Sequence, residues 1–272
     1  GSPKLVATWF NDSKRGFASG IYTTGPVIGN AIAFATAANI SLYFDNWRMI
    51  SVIYGVILIS VMTFWILFSK NKITNKPKIQ KNHQSSYREL FKIKTVQTIM
   101  ILSIIFFFLN HSLGAWTPSI LIDKNFSITQ AGYITSICTL LSLISLILVT
   151  SMFPKNKRKQ ALIYILLACA IGCLGIAYTS EYMLVGSILL VTIFKISLMP
   201  LSTLILMEHK EIGPQKIGTA AGMFFASAEI GGFGGPFTIG LLREITGSHQ
   251  IGGVFSSILC LIGIIIALKL DN

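Results

Sequence analysis

Apolar runs of about 20 residues, the length a helix needs to cross a hydrocarbon core, recur eight times along this chain between short polar stretches. They fall near 17–43, 47–69, 96–120, 129–152, 161–179, 182–207, 218–242 and 250–269. Inside lipid every backbone N–H and C=O must find its partner within the segment or in a closed barrel. None of the runs shows the period-two alternation of a barrel strand, so helices are the expected solution. With 53% hydrophobic and 12% charged residues, the chain has too few charges to cover a soluble globule of 272 residues. The expectation is an all-α integral membrane protein.

The net charge of +12 is a matter of placement. If the loop at 69–95 is cytoplasmic, seventeen of the 22 Lys and Arg residues fall on that side, and only Arg48, Lys124 and Arg243 fall on the other. This asymmetry orients the protein with a cytoplasmic C-terminus, in the cell (inner or plasma) membrane, as a multi-pass chain. A basic charge sorted by side reports topology, so no nucleic-acid partner is expected. The four cysteines all lie within spans, without the spacing of a zinc site or a disulfide framework, and read as packing residues. No metal and no cofactor is expected. The glycine run at 231–236 lacks a preceding strand and lies within an apolar span, so it is not a dinucleotide loop.

The chain repeats itself. Residues 14–29 (KRGFASGIYTTGPVIG) align with residues 216–231 (KIGTAAGMFFASAEIG) at an offset of 202, with identities at Lys14/Lys216, Gly16/Gly218, Ala18/Ala220, Gly20/Gly222, Ile28/Ile230 and Gly29/Gly231. Both copies begin with a basic residue on the same side of the membrane and then enter a span. The repeat is therefore parallel, one of the plans on which secondary transporters are built. On the same offset, the counterpart of the span opening near Val96 would start about one hundred residues before Gly1. The expected organisation follows: 1–69 as the remainder of a first six-helix half, 70–95 as a basic cytoplasmic linker, and 96–272 as a second six-helix half.

Several segments resemble the major facilitator superfamily. WFNDSKRGFASGIYTTGPVIGN (9–30) is similar to its junction of helices four and five, WRMISVIYGVILI (47–59) to the start of helix six, and EIGPQKIGTAAGMFFASAEIGGFGGP (211–236) to the junction of helices ten and eleven. FFLNHSLGAWTPSILIDKNFSITQAGY (107–133) resembles helices seven and eight of the cyanate permease and nitroimidazole transporter branch. The resemblance implies an N-terminally truncated major-facilitator-type bundle: about eight complete transmembrane helices, five to twelve of twelve, plus a stub of helix four. It also implies that helices ten and eleven line the transport cavity and that the solute is a small anion or weak acid.

Two ionisable residues lie near the centres of spans, where each costs about 2.5–3.5 kcal/mol to insert: Lys195 and Glu229. Substrate and coupling-ion sites of secondary transporters lie at this midplane depth. Lys195 reads as the attractor of an anionic solute and Glu229 as the ion-coupling, proton-carrying group; a permanent ion pair that only fixes packing is the other account of the two. Thr192, Lys195, Met199 and Ser202 fall at spacings that share one helical face, and Pro200 should bend that helix. Ser103, Asn110, Gly114 and Thr117 form a second polar stripe, with His111 beside it as a titratable neighbour. Substrate binding is assigned to Lys195, Asn110, Thr192, Thr139, Tyr22 and Trp116, and ion coupling to Glu229 and His111. For Trp116 an interfacial anchor is the competing role, and for Thr135, Thr139 and Ser142 it is hydrogen bonding back to their own helix. Gly25, Pro26, Gly29, Pro200, Gly231 and Gly235 are assigned to gating and close helix packing.

The function these residues suggest is secondary active transport of a small, anionic solute by alternating access, with proton coupling, by a monomer embedded in the lipid bilayer. Two other classes compete with it: a transporter-like sensor or an inactive truncated remnant, and a membrane-embedded enzyme. An enzyme would need clustered acids or a nucleophile at the water boundary, and the ten acidic residues are scattered, so none is expected.

Overall fold

The computed structural model describes residues 12–69 and 87–270. Among them the chain forms α1 (Asp12–Phe44), α2 (Arg48–Phe68), a short α3 (Tyr87–Phe91), α4 (Lys94–Asp123), α5 (Ile128–Met152), α6 (Arg158–Tyr178), α7 (Glu181–Lys195), α8 (Leu198–Glu208), α9 (Gly213–Thr246) and α10 (Gln250–Ala267). The expected helix-four stub and most of the basic linker, residues 70–86, lie outside the described residues. Every apolar run of the sequence coincides with a helix, the run at 182–207 being divided between α7 and α8. No strand forms among the described residues.

Among the described residues, seven helical segments are long and apolar enough to cross a membrane. The exception is α9, which is 34 residues long but dilutes its apolar side chains with eight glycines and with Glu229. The offset of 202 found in the sequence carries 12–44 onto 214–246 and 48–68 onto 250–270, within three residues of the ends of α9 and α10. The repeat thus extends over a pair of helices. Tight turns separate them: Asp45 and Asn125 take the left-handed conformation between α1 and α2 and between α4 and α5, and Gly247 takes it to end α9, its N–H on the Arg243 carbonyl at 2.8 Å.

The chain forms two compact units. One contains α1, α2 and residues 128–140 of α5. Here Gly132 brings α5 onto α1, since a Cβ at that position would lie 2.5 Å from the Phe34 carbonyl oxygen. Asn39 donates to the Tyr133 hydroxyl at 2.9 Å, and Tyr54 and Thr36 share a hydrogen bond of 2.7 Å.

The other unit contains α3, α4, the rest of α5, and α6 to α10. α4 packs along α9, while α6 packs against α7 and α10. Its core is apolar, around Phe106, Phe224, Leu102, Leu109, Leu162 and Leu166. Lipid tails are as apolar as leucine, so burial alone does not choose a partner helix; close backbone approach and interhelical hydrogen bonds do. Both occur. A Cβ at Gly235 would lie 2.6 Å from the Phe108 carbonyl oxygen and one at Gly231 would collide with that of Ile104, so α9 lies directly on the α4 backbone. Ser103 and Ser227 hydrogen-bond across the same contact at 2.9 Å, and Ser257 of α10 donates to the Ala170 carbonyl of α6 at 2.9 Å. Such bonds contribute roughly 0.6 kcal/mol each on average, so several glycine contacts and serine bonds together set the packing.

Candidate solute and ion site

The helix carrying Lys195 is interrupted. α7 ends at Lys195, Ile196 and Ser197 form a turn, and α8 begins at Leu198. Pro200 explains where: it has no N–H to offer the carbonyl of Ile196, four residues earlier, and its ring crowds that carbonyl. Ser197 fastens the turn to α5, sharing a 2.9 Å hydrogen bond with the Ser145 hydroxyl. The interruption leaves Lys195 at the C-terminal end of a helix, where the unpaired carbonyls favour a cation. Its side chain is buried, 9% exposed, and Nζ donates to the backbone carbonyl of Asn110 at 3.3 Å.

Glu229 has the opposite surroundings. It lies in the middle of α9 on an exposed face that also carries Phe225, Ile230, Phe233 and Phe237. Across from it on α4, Asn110 and His111 are exposed as well, and the His111 ring stacks on Phe107 with centroids 5.5 Å apart. Gly232 sits between the two ionisable groups: a Cβ there would lie 2.9 Å from Glu229 Oε2 and 3.6 Å from His111 Nε2. The carboxylate and the imidazole thus reach the same small space, which the glycine keeps open. The α4–α9 contact at Gly231 and Gly235 fixes the register that puts them there.

The structure therefore brings Glu229 and His111 to one space of the second unit, with Asn110 exposed next to His111 in the chain and Lys195 buried with its Nζ on the Asn110 carbonyl. Among the described residues no ion pair joins Lys195 to Glu229, although both lie near mid-span. The shared face expected of Thr192, Lys195, Met199 and Ser202 does not form: Met199 is 39% exposed while Ser202 is fully buried, because the turn at 196–197 resets the helical phase between α7 and α8. The stripe expected on α4 divides in the same way. Ser103 and Thr117 are buried and bond to α9 and to the Leu113 carbonyl, while Asn110 is exposed and Gly114 partly so.

The remaining assigned residues are dispersed. Trp116 is half-buried between α4 and α9, with Nε1 donating to the Pro236 carbonyl at 2.9 Å and the indole filling the space beside Gly240. Thr192 is half-buried on α7, and Pro200 is the third residue of α8. Thr139 belongs to the first unit and bonds to the Thr135 carbonyl at 2.7 Å, as Thr135 does to that of Ala131. Gly25, Pro26 and Gly29 lie within the uninterrupted α1, and a Cβ at either glycine would meet nothing within 4 Å. Tyr22 is on α1, its side chain outside the described residues.

One polar cluster is absent from the sequence reading. Where α4 ends and α10 begins, Arg243 grips Asp123 with two hydrogen bonds of 3.0 and 3.2 Å, and His249 Nε2 lies 3.4 Å from Asp123 and 3.2 Å from the Ser119 hydroxyl. Burial holds the His249 pKa below its usual value; Asp123 opposes that shift and Arg243 adds to it. The sequence signal was the isolation of Arg243 on its side of the membrane, but its partner is 120 residues away.

An all-α set of membrane-length helices, with a sequence repeat at an offset of 202 and ionisable groups at mid-span, defines a polytopic membrane protein. The chain belongs to the Major Facilitator Superfamily, whose sequence profile matches residues 1–236. It is 24% identical over 296 aligned residues to a protein named as a quinolone resistance transporter from Acinetobacter baumannii, an alignment that covers 96% of this chain and 66% of that protein. The chain thus spans just under two thirds of that relative's length. Among solved structures it is similar to a bacterial homolog of the human lysosomal transporter Spinster, with a TM-score of 0.64 at 14% identity, covering 97% of this chain and 70% of the other. That likeness is one of fold.

Proposed function

We propose that this chain forms the solute- and proton-handling part of a secondary active transporter for a small anionic or weakly acidic compound. The observation that carries the reading is the convergence of Glu229 and His111 on the space above Gly232, at mid-span on an exposed face. A carboxylate and an imidazole within reach of one site can bind, hold and release a proton, which is the requirement for coupling transport to a pH gradient. Asn110 beside them supplies neutral hydrogen-bonding groups for a solute. Lys195, beneath Asn110, acts through its field: in a low-dielectric interior a buried ammonium biases the surface above it toward anions without touching them.

In this reading 96–272 is one half of the transporter, 1–69 belongs to the other, and 70–95 links them on the cytoplasmic side. The C-terminus is cytoplasmic, the protein sits in the cell membrane, and it works as a monomer. The branch resemblance at 107–133 supports an acidic solute. A second reading is supported by a different observation. The exposed face around Glu229 is aromatic, with Phe233 and Phe237 stacked at 6.1 Å, and the curated relative is named for resistance to an aromatic drug class. An aromatic weak acid satisfies both.

The test is uptake into proteoliposomes under an imposed pH gradient, across small carboxylates and their neutral amides, with and without an aromatic ring. Gradient-driven movement of the acids over the amides is the expected outcome. Equal movement of acids and amides would remove the anion assignment, and movement indifferent to the gradient would remove the proton.

A further inference from the structure

Away from the Glu229 surface, the second unit holds a cleft of about 640 Å³ between the turn after α5, the start of α6, the turn after α8 and the end of α10. Its wall is cationic: Lys155, Arg158, Lys159 and Lys210 line it, against the carboxylates of Glu208 and Glu211. The acids do not neutralise this set. Arg158 pairs with Glu208, but Lys155 and Lys159 point their ammonium groups at backbone carbonyls, of Glu208 at 3.1 Å and of Leu270 at 2.6 Å. Each of these lysines uses one of its three donors and has the others to give.

Two more donors in the cleft are buried and unused. The Thr95 hydroxyl, on a residue 3% exposed, has no hydrogen-bond partner, and neither has Nε of Arg158, whose side chain is 12% exposed. A buried polar group without a partner is costly, so two of them on one cleft, ringed by ammonium groups, define what would fit: an oxyanion with several acceptor oxygens. The volume lies in the range of small-ligand sites, far larger than a single ion needs. Basic pockets between transmembrane helices at the headgroup level are where anionic lipids bind.

We propose that this cleft is a phosphate-binding site, filled by the headgroup of an anionic phospholipid, with Arg158 and Thr95 as its inner donors and Lys155 and Lys210 at its mouth. The proposal rests on the membrane-spanning reading but not on any transported solute. Its test uses the chain in nanodiscs of phosphatidylcholine, with and without about a fifth of phosphatidylglycerol, followed by native mass spectrometry of the lipids retained after detergent extraction.

The expected result is at least about fivefold enrichment of phosphatidylglycerol on the protein, lost in a Lys155→Gln/Lys210→Gln variant that melts at the same temperature as the parent in phosphatidylcholine. Arg158→Gln is the less useful variant, because breaking its pair with Glu208 can unfold this end; Thr95→Val, which removes only a hydroxyl, replaces it and should lower the enrichment. A parallel arm titrates inorganic phosphate into the phosphatidylcholine sample. A raised melting temperature there, absent in the double variant, assigns the site to free phosphate and keeps its chemistry. Parity of the two lipids together with indifference to phosphate would overturn the proposal, as would enrichment that survives the double variant.

Discussion

Lys195 and Glu229 stand at similar depths in consecutive membrane-length segments, yet their environments are opposite. Lys195 is enclosed, with its ammonium on a carbonyl at the end of an interrupted helix, whereas Glu229 lies on an open face across from His111. Depth in a span sets the cost of a charge; the helical face sets what the charge can do. A covered charge contributes a fixed potential and resists change. An uncovered one can exchange a proton or meet a solute.

The sharpest way to break this comparison is to reverse each charge or remove it. Lys195→Glu sets an anion against the Asn110 carbonyl in a closed space and should cost about 3 kcal/mol or more, enough that no monodisperse protein is recovered in size-exclusion chromatography. Lys195→Met, which keeps the volume and removes the charge, should fold and lose its preference for acids over amides. Glu229→Gln should leave the melting temperature within a degree or two of the parent, because the side chain is exposed, while lowering pH-gradient-driven uptake by about tenfold or more.

A smaller effect is expected from Gly232→Ala. The added methyl occupies the space shared by Glu229 and His111, and since the carboxylate end can swing away, uptake should drop only about threefold with the fold intact. If that variant transports like the parent, the two groups do not act on a common site.

The smallest effect concerns His249. Its folded-state pKa lies below the ordinary 6.5, so the unfolded chain binds the proton more readily; stability is therefore full above about pH 6.5 and declines as pH falls through that value toward the folded pKa. Melting curves between pH 7.5 and 5.5 should show this decline, and His249→Asn should flatten it. Because the Asp123–Arg243 pair beside it is partly exposed, the change should amount to a few degrees at most.

Seven of the eight spans were legible because hydrophobic length is a local property, written without reference to any partner; the run at 218–242 forms the helix α9, which its glycines and Glu229 leave less apolar than the others. The repeat at an offset of 202 was legible too, and it fits the bounds of two helices. Lys195 and Glu229 could be singled out from the sequence because a charge at the centre of a span is costly wherever it faces. Their facing could not. Periodicity placed Met199 and Ser202 beside Lys195, but the turn that Pro200 imposes at 196–197 shifts the phase of everything after it. The Ser103–Ser227 bond and the Asp123–Arg243–His249 cluster join residues more than a hundred positions apart, and no local pattern announces such pairs. The glycines divide in an instructive way: Gly231 meets the α4 backbone, whereas its repeat-mate Gly29 meets nothing within 4 Å. One sequence pattern thus has two structural outcomes, set by the neighbour.

The most direct test of the central claim compares the parent with Glu229→Gln in the longest form of this polypeptide that its source encodes, reconstituted in liposomes. Two rates are measured for one acid substrate: uptake driven by a pH gradient, and exchange of labelled for unlabelled substrate with no gradient. The account predicts that Glu229→Gln lowers the driven uptake by about tenfold or more and preserves the exchange, because the solute can still cross but no longer with a proton. Driven uptake at the parental rate in Glu229→Gln would contradict it, and the coupling group would have to be sought elsewhere in the molecule.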